Sequence, residues 1–312
     1  MLTALKKLGL LLVTLLAVTA LTFAVTSVLD GDPTNKVLGE DASPAAKAEL
    51  RKQLRLDRPV HVRYGLWLKD VARGDLGRSI ITKEPVLESI KNRAPVTLQI
   101  GLTALVIALA GAIPLALLSA YKANTWLDKT ISTSTFGLLA IPNFTLAMIL
   151  IYLFVEQIGA LPPTGWAYLG DGLGESLKHT ILPALALAIA ELAVFTRLLR
   201  ADLISTLRED FILMARAKGA PTRRILFRHA LRPSSFSLLT VVGVQLGALV
   251  GGSVVIEQLF GVPGIGRLLV TGVGDRDVVV VQGITLVIAA SYVLVNFAVD
   301  ICYRLLDPRI GR

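Results

Sequence analysis

Six stretches of this sequence are long, apolar and almost free of charge, and this clustering removes most folds from consideration. They are Leu8–Leu29 and the runs between Arg93 and Lys122, Lys129 and Glu156, Lys178 and Arg197, Arg232 and Glu257, and Asp277 and Asp300. Roughly 20 apolar residues suffice for a helix to cross about 30 Å of hydrocarbon. Only Glu191 interrupts the fourth run with a charge. Pro114, Pro142 and Pro183 fall inside runs, where packing and local adjustment tolerate them. The chain reads as an all-α membrane protein with six transmembrane helices. Only 18% of its residues are charged, against about 25% in soluble domains. Leu8–Leu29 follows Lys6-Lys7 as a signal peptide would, but it exceeds the roughly 7–15 apolar residues of such a peptide and reads as a retained helix.

The charges between the runs set the direction. With the N-terminus inside, sixteen basic residues fall in cytoplasmic segments and three (Lys178, Arg267, Arg276) in short outside loops. That asymmetry places both termini in the cytoplasm. The net charge of +9 follows from the same loop rule, so nucleic acid is not an expected partner. Residues 1–29 are then an N-terminal transmembrane helix and 30–93 an extracytoplasmic helical segment. Residues 94–312 carry the other five helices. Within 30–93, Ala45–Leu56 and Val60–Val71 read as short amphipathic helices, the second with Tyr64, Trp67 and Leu68 on one face. Gly74-Asp-Leu-Gly77 is a turn cluster.

The cytoplasmic segment 197–232 holds eight Arg and one Lys against Asp202, Glu209 and Asp210. It is too long for a simple connector. Leu203, Leu207, Phe211 and Met214 recur at helical spacing and read as one apolar face, broken by Gly219. The segment is expected to dock a soluble cytoplasmic partner, with adsorption to anionic lipid as the competing reading.

Inside the spans, Glu191 is a costly charge that must face a cavity or a partner. It either lines an aqueous path and meets a cation such as a peptide amine, or is a packing acid hydrogen-bonded within the bundle. Asn143, Gln245 and Gln282 read first as interhelical hydrogen-bonding groups. Asn143 and Gln245 join Glu191 as candidates for a translocation path. Gly243, Gly247 and Gly251 share a helix face and permit close helix approach. His61, His179 and His229 lie on both sides of the membrane, so no metal site is assigned. Cys302 is the single cysteine and reads as a packing residue. No G-x-x-x-x-G-K-S/T, G-x-S-x-G or H-E-x-x-H sequence occurs, so neither a nucleotide P-loop nor a hydrolase is expected here.

Several local signatures fall in one order along the chain: Gly31-Asp-Pro33, Leu54-Arg-Leu-Asp-Arg-Pro59, Gly74-Asp-Leu-Gly-Arg-Ser79, Arg93-Ala-Pro-Val-Thr-Leu98, Ala215-Arg-Ala-Lys-Gly219, Arg223-Arg224, His229-Ala-Leu-Arg232, Pro263-Gly-Ile-Gly266 and Leu306-Asp-Pro-Arg309. Over nearly the whole chain this resembles the inner-membrane permease subunits of ATP-binding-cassette importers, in the dipeptide, oligopeptide and nickel branch. The resemblance implies the type I importer permease fold, with a small extracytoplasmic insertion between helices 1 and 2. It implies that segment 197–232 carries the EAA motif, whose short coupling helix docks in a cleft of an ATPase subunit. Gly219, Ala215 and Leu231 match the motif's glycine, second alanine and later leucine. Its glutamate falls on Leu213, so the ionic contact passes to Asp210 or Arg216. Ala217, Arg223, Arg224 and His229 complete the coupling candidates, and Pro221 fits the first turn of the following helix.

The implied partners are a second homologous permease, two ATP-binding subunits that hold ATP and Mg, an extracytoplasmic substrate-binding protein, and membrane lipid. The implied location is the bacterial inner membrane. Outside loops 156–178 and 257–277 are placed to meet the binding protein or its cargo. Glu257, Phe260, Pro263, Gly264 and Gly266 are candidates for a reach-in loop. The expected function is half of a peptide pathway working by alternating access, with nickel chelates or glutathione as other substrates. A stand-alone secondary transporter or channel is the alternative of a different class.

Overall fold

In the computed structural model, residues 2–28, 34, 38–39 and 42–306 are described. The Gly31-Asp-Pro33 and Asp307-Pro-Arg309 signatures and the Cys302 side chain lie outside them. Twelve helices carry the argument: α1 (Leu2–Val28), α2 (Pro44–Gln53), α3 (Val60–Val71), α4 (Val86–Tyr121), α5 (Trp126–Ala140), α6 (Asn143–Ile151), α7 (Leu173–Thr206), α8 (Asp210–Ala217), α9 (Leu231–Gly252), α10 (Val254–Leu259), α11 (Ile265–Gly274) and α12 (Val278–Leu306). The β pairing among the described residues is an isolated bridge between Arg78 and Pro85. The expected all-α fold class holds. The six apolar runs fall on α1, α4, the pair α5–α6, α7, α9 and α12. Among the described residues, α4, α7 and α12 are long and apolar enough to cross a membrane, and the bent α5–α6 pair makes a fourth if it is one span.

The third run departs from the expectation. It breaks at Ile141-Pro142, and α5 and α6 meet at a bend of 99°. Ile141 is extended (φ −91°, ψ 122°) and Pro142 sits outside both helices at ψ 142°. A proline pushes its predecessor out of the helical region and supplies no N–H to the preceding turn. Pro114 and Pro183 nevertheless remain inside α4 and α7. Ile also precedes Pro114, so the surrounding packing, not the dipeptide, decides which proline breaks a span.

The chain divides into two compact units, Met1–Val96 with Pro263–Val293, and Thr97–Val262 with Leu294–Arg312. In the first, α3 lies along α1, as its aromatic face anticipates. Phe23 meets Tyr64 edge-on at 5.4 Å, Tyr64 stacks on Trp67, and the Tyr64 hydroxyl donates to the Leu16 carbonyl at 3.1 Å. Arg63 stands 5.5 Å from the Phe23 ring centre, and burial lowers its pKa from the ordinary arginine value. Gln282 donates to Thr26 across α12 and α1 at 3.1 Å. The apolar core gathers Leu76, Val86, Ile90, Ile265, Val280 and Ile284. α4 starts at Val86, two turns before the boundary expected at Arg93.

Asp277 organises this unit. Its Oδ2 accepts Ser79 Oγ at 2.5 Å and the Ile80 N–H at 2.9 Å, while Oδ1 accepts the Val280 N–H at 3.2 Å as the cap of α12. The Gly74–Ser79 signature thereby becomes a tight turn. Gly77 adopts φ +85°, and a Cβ there would meet Val279 at 2.7 Å.

In the second unit α7 is central, packing against α5, α6, α9 and α10. Gly111 lets α4 approach α7 so closely that a Cβ would lie 2.5 Å from Leu192. Gly243 of α9 does the same against Val299, at 2.1 Å, whereas Gly251 faces open space. The expected glycine face therefore makes a close contact at Gly243 and none at Gly251.

Asp277→Ala strips acceptors from three backbone N–H groups (Ile80, Ile81 and Val280) and the Ser79 hydroxyl. It should destabilise the purified protein by about 1–3 kcal/mol. Thermal unfolding in detergent should show a lower midpoint than wild type, with Asp277→Asn between the two.

Candidate coupling site and membrane-embedded polar residues

Segment 197–232 begins as an extension of a span. α7 has 34 residues, about 51 Å at 1.5 Å per residue, well beyond the hydrocarbon thickness of about 30 Å. Residues 197–206 continue α7 past the fourth apolar run. Leu203 and Leu207 therefore belong to α7 and its cap, whereas Phe211 and Met214 belong to α8. The apolar face read from sequence is split by a turn at Leu207–Glu209. Leu203 is buried, while Phe211, Leu213 and Met214 are exposed.

α8 is a two-turn helix with its own stops. Glu209 precedes it in extended conformation, and Asp210 places a carboxylate in its first turn, where the helix dipole favours negative charge. At the other end the Gly219 N–H reaches the Arg216 carbonyl at 2.9 Å and the Ala220 N–H reaches the Ala215 carbonyl at 3.1 Å. Gly219 adopts φ +77°. This pair of bonds around a left-handed residue is the Schellman stop. A Cβ on Gly219 would meet nothing within 4 Å, so its backbone conformation alone demands glycine. Pro221 caps the following helix from just outside it, at ψ 147°. Thr222–Arg224 and a π-helical stretch, Ile225–Ala230, then lead into α9.

Buried Ile212 is the inward side of α8, which packs on the 225–230 stretch. Ser234 Oγ donates to Thr206 Oγ1 at 2.9 Å and joins the two legs of the helix–turn–helix. On the outward side of α8, Phe211, Leu213 and Met214 are exposed and form an apolar surface. Arg216, Lys218, Arg223, Arg224 and Arg228 are exposed within the same segment, as are Asp210 and Ala217, while Ala215 and His229 are half-buried. Among the described residues neither Asp210 nor Arg216 has an ion pair within the chain. An apolar patch with a polar rim suits protein docking.

Above this segment sits a network the sequence reading missed. Asp128, 3% exposed, receives Arg200 Nε at 2.6 Å and Nη2 at 2.7 Å, a bidentate pair. Ser119 Oγ and the Asn124 N–H donate to the same carboxylate. The cluster ties α4, the 122–125 turn and α5 to α7. Sequence reading counted Arg200 only as loop charge, and its partner lies 72 positions away.

Deeper in the bundle, Gln245 Nε2 donates to Glu191 Oε2 at 2.6 Å, so two of the three path candidates come together on α9 and α7. Both are half-buried. Asn143 is exposed at the start of α6 and makes no recorded bond with them. Toward the other end, Gln99 donates to Ser176 and Thr180, each at 2.8 Å. Glu257 is fully buried, its Oε1 accepting Thr97 Oγ1 and Ser253 Oγ at 2.8 Å. Phe260 is 2% exposed. In this conformation Glu257 and Phe260 are enclosed within their unit and present no side chain to a docking protein. Pro263 is half-buried, and Gly264 and Gly266 are buried at the start of α11.

Two family models match. "Binding-protein-dependent transport system inner membrane component" covers residues 112–312, and the corresponding N-terminal membrane-component model covers 1–101. The chain belongs to this family of inner-membrane permease components of multi-subunit transport systems. It is similar to the dipeptide transport system permease protein DppB of Alkalihalophilus pseudofirmus, at 35% identity over 98% of each chain. It is likewise similar to a putative peptide transport system permease protein of Brucella abortus, at 37% over 98% of each. The glutathione transport system permease protein GsiC of Salmonella choleraesuis is 35% identical over 98% of this chain and 97% of its own. The family resemblance carried by the ordered signatures holds.

Arg200→Met leaves a buried carboxylate unpaired, which should cost about 3 kcal/mol or more. The double variant Asp128→Asn/Arg200→Met should recover part of that loss. Thermal melts of wild type, both single variants and the double variant measure the coupling.

Proposed function

We propose that this chain forms half of the translocation pathway of an ATP-driven importer for dipeptides or oligopeptides. A second, related permease forms the other half. Two ATP-binding subunits hold ATP and Mg and carry out hydrolysis, and an extracytoplasmic binding protein delivers the substrate. Both termini lie in the cytoplasm. The observation that carries this reading is α8, a two-turn helix with an exposed apolar face among arginines. It is stopped by Gly219 and joined through a short turn to a membrane-crossing helix. Dimer closure of the ATPases pushes α8, and α7 and α9 carry the displacement into the bilayer as alternating access. The peptide and glutathione names of similar permeases favour a substrate with a free amine and peptide bonds.

Glu191 fits that substrate class. A half-exposed acid in a span meets water or a partner, not lipid. Gln245 occupies one of its oxygens and leaves the other for an incoming ammonium group.

The assembled complex in proteoliposomes tests both parts. Gly219→Val forces a β-branched residue to positive φ. It should reduce ATP-dependent peptide uptake about tenfold or more while the ATPase subunits still bind nucleotide. Uptake at the wild-type rate with Gly219→Val would remove the coupling role. Glu191→Gln should slow uptake of a free dipeptide more than that of its N-acetylated form. An equal effect on both substrates would leave Glu191 as a packing acid.

A further inference from the structure

A cleft of ≈ 510 Å³ lies between α5 and α7, lined by Ser132, Phe136, Leu139, Val194, Arg197 and Leu198. The spacing fits two helix faces: 132, 136 and 139 on α5, and 194, 197 and 198 on α7. The polarity is graded. On α5 the series runs from Ser132, nearest the cytoplasmic end, to Leu139. On α7 it runs from Val194 to Arg197, where the apolar run ends. Phe136 and Leu139 are exposed. The walls are therefore apolar toward the membrane interior and basic at its cytoplasmic boundary.

The two arginines of this face differ. Arg200 has its charge matched by Asp128 in bidentate geometry. Arg197 is exposed and held 3.7 Å above the centre of the Phe136 ring. Among the described residues no carboxylate pairs with it. Stacking fixes the guanidinium plane and leaves its N–H donors unmatched at the edge of an apolar groove.

From this arrangement we infer a binding site for one anionic phospholipid of the cytoplasmic leaflet. An acyl chain lies along Phe136, Leu139, Val194 and Leu198, and the phosphate meets Arg197. Charge complementarity selects the occupant: that leaflet carries negative headgroups, and basic pockets between transmembrane helices on this side bind them. The inference rests on the proposed topology, with segment 197–232 in the cytosol. It places the lipid against the stretch of α7 that leads to the coupling segment.

The test uses the assembled importer in nanodiscs of equal phosphatidylglycerol and phosphatidylcholine, with retained lipids counted by native mass spectrometry after detergent extraction. Wild type should retain phosphatidylglycerol preferentially. Arg197→Gln should lower the ratio of the two lipids about fivefold, the worth of one basic residue at an anionic surface. Phe136→Ala should lower it too, Arg197→Lys should retain part of the preference, and Lys129→Gln should leave it intact. Melting in phosphatidylcholine alone confirms that each variant is folded. An unchanged ratio in Arg197→Gln overturns the inference. Removal of the lipid from wild type by inorganic phosphate alone also overturns it, since the site would then be a free-anion site. Efficient cross-linking of Leu139→Cys to the second permease would instead make this face a subunit interface and overturn it. Loss of ATP-coupled uptake is a separate readout, so failure of the lipid site and failure of the proposed function are distinguishable.

Discussion

The structure depends on α7 remaining one uninterrupted helix from Leu173 to Thr206. A backbone in lipid must satisfy its own hydrogen bonds, which makes the buried part of α7 stiff. Its continuation past Arg197 carries that stiffness beyond the apolar run, as far as Thr206. Side-chain bonds brace it at three levels: Thr180 and Ser176 with Gln99, Glu191 with Gln245, and Arg200 with Asp128. Each brace reaches a different helix or a different depth, so α7 cannot turn or slide without its neighbours. Even Pro183 is accommodated within it.

The far end of this strut explains the form of segment 207–230. A flexible loop would absorb a push. Here the Thr206–Ser234 bond, buried Ile212 and the Gly219 stop hold α8 at a defined angle to its two legs. The exposed apolar residues of α8 are free to meet another protein because Ile212 alone commits its inner side. The same logic separates Arg197 from Arg200. One is spent inside the brace, and the other is turned outward onto Phe136.

Much of this was legible in the sequence because it is encoded locally. The exclusion of charge from Leu8–Leu29 or from the run before Lys122 is a property of adjacent residues. So is the glycine that ends α8, and so are the aromatic residues of α3. What was hidden depends on pairing at a distance. Asp277 and Ser79 are 198 positions apart, and nothing near either residue announces the other. Glu257 looks like a loop acid until Thr97 and Ser253 enclose it. The break at Pro142 shares its local dipeptide with unbroken Pro114, so only packing distinguishes them. The helical spacing of Leu203 through Met214 hid a turn, because a period cannot register a change of axis direction.

The central claim is that α8 and α7 move as one body when ATP is bound and hydrolysed. Spin labels at Met214→Cys and Leu177→Cys, two exposed positions, with Cys302 replaced, report their separation by pulsed electron resonance in the assembled transporter. A rigid lever predicts the same distance distribution without nucleotide, with ATP and in a trapped hydrolysis state. A distribution that shifts or broadens markedly between those states would mean that the segment flexes and absorbs the motion, which contradicts the account.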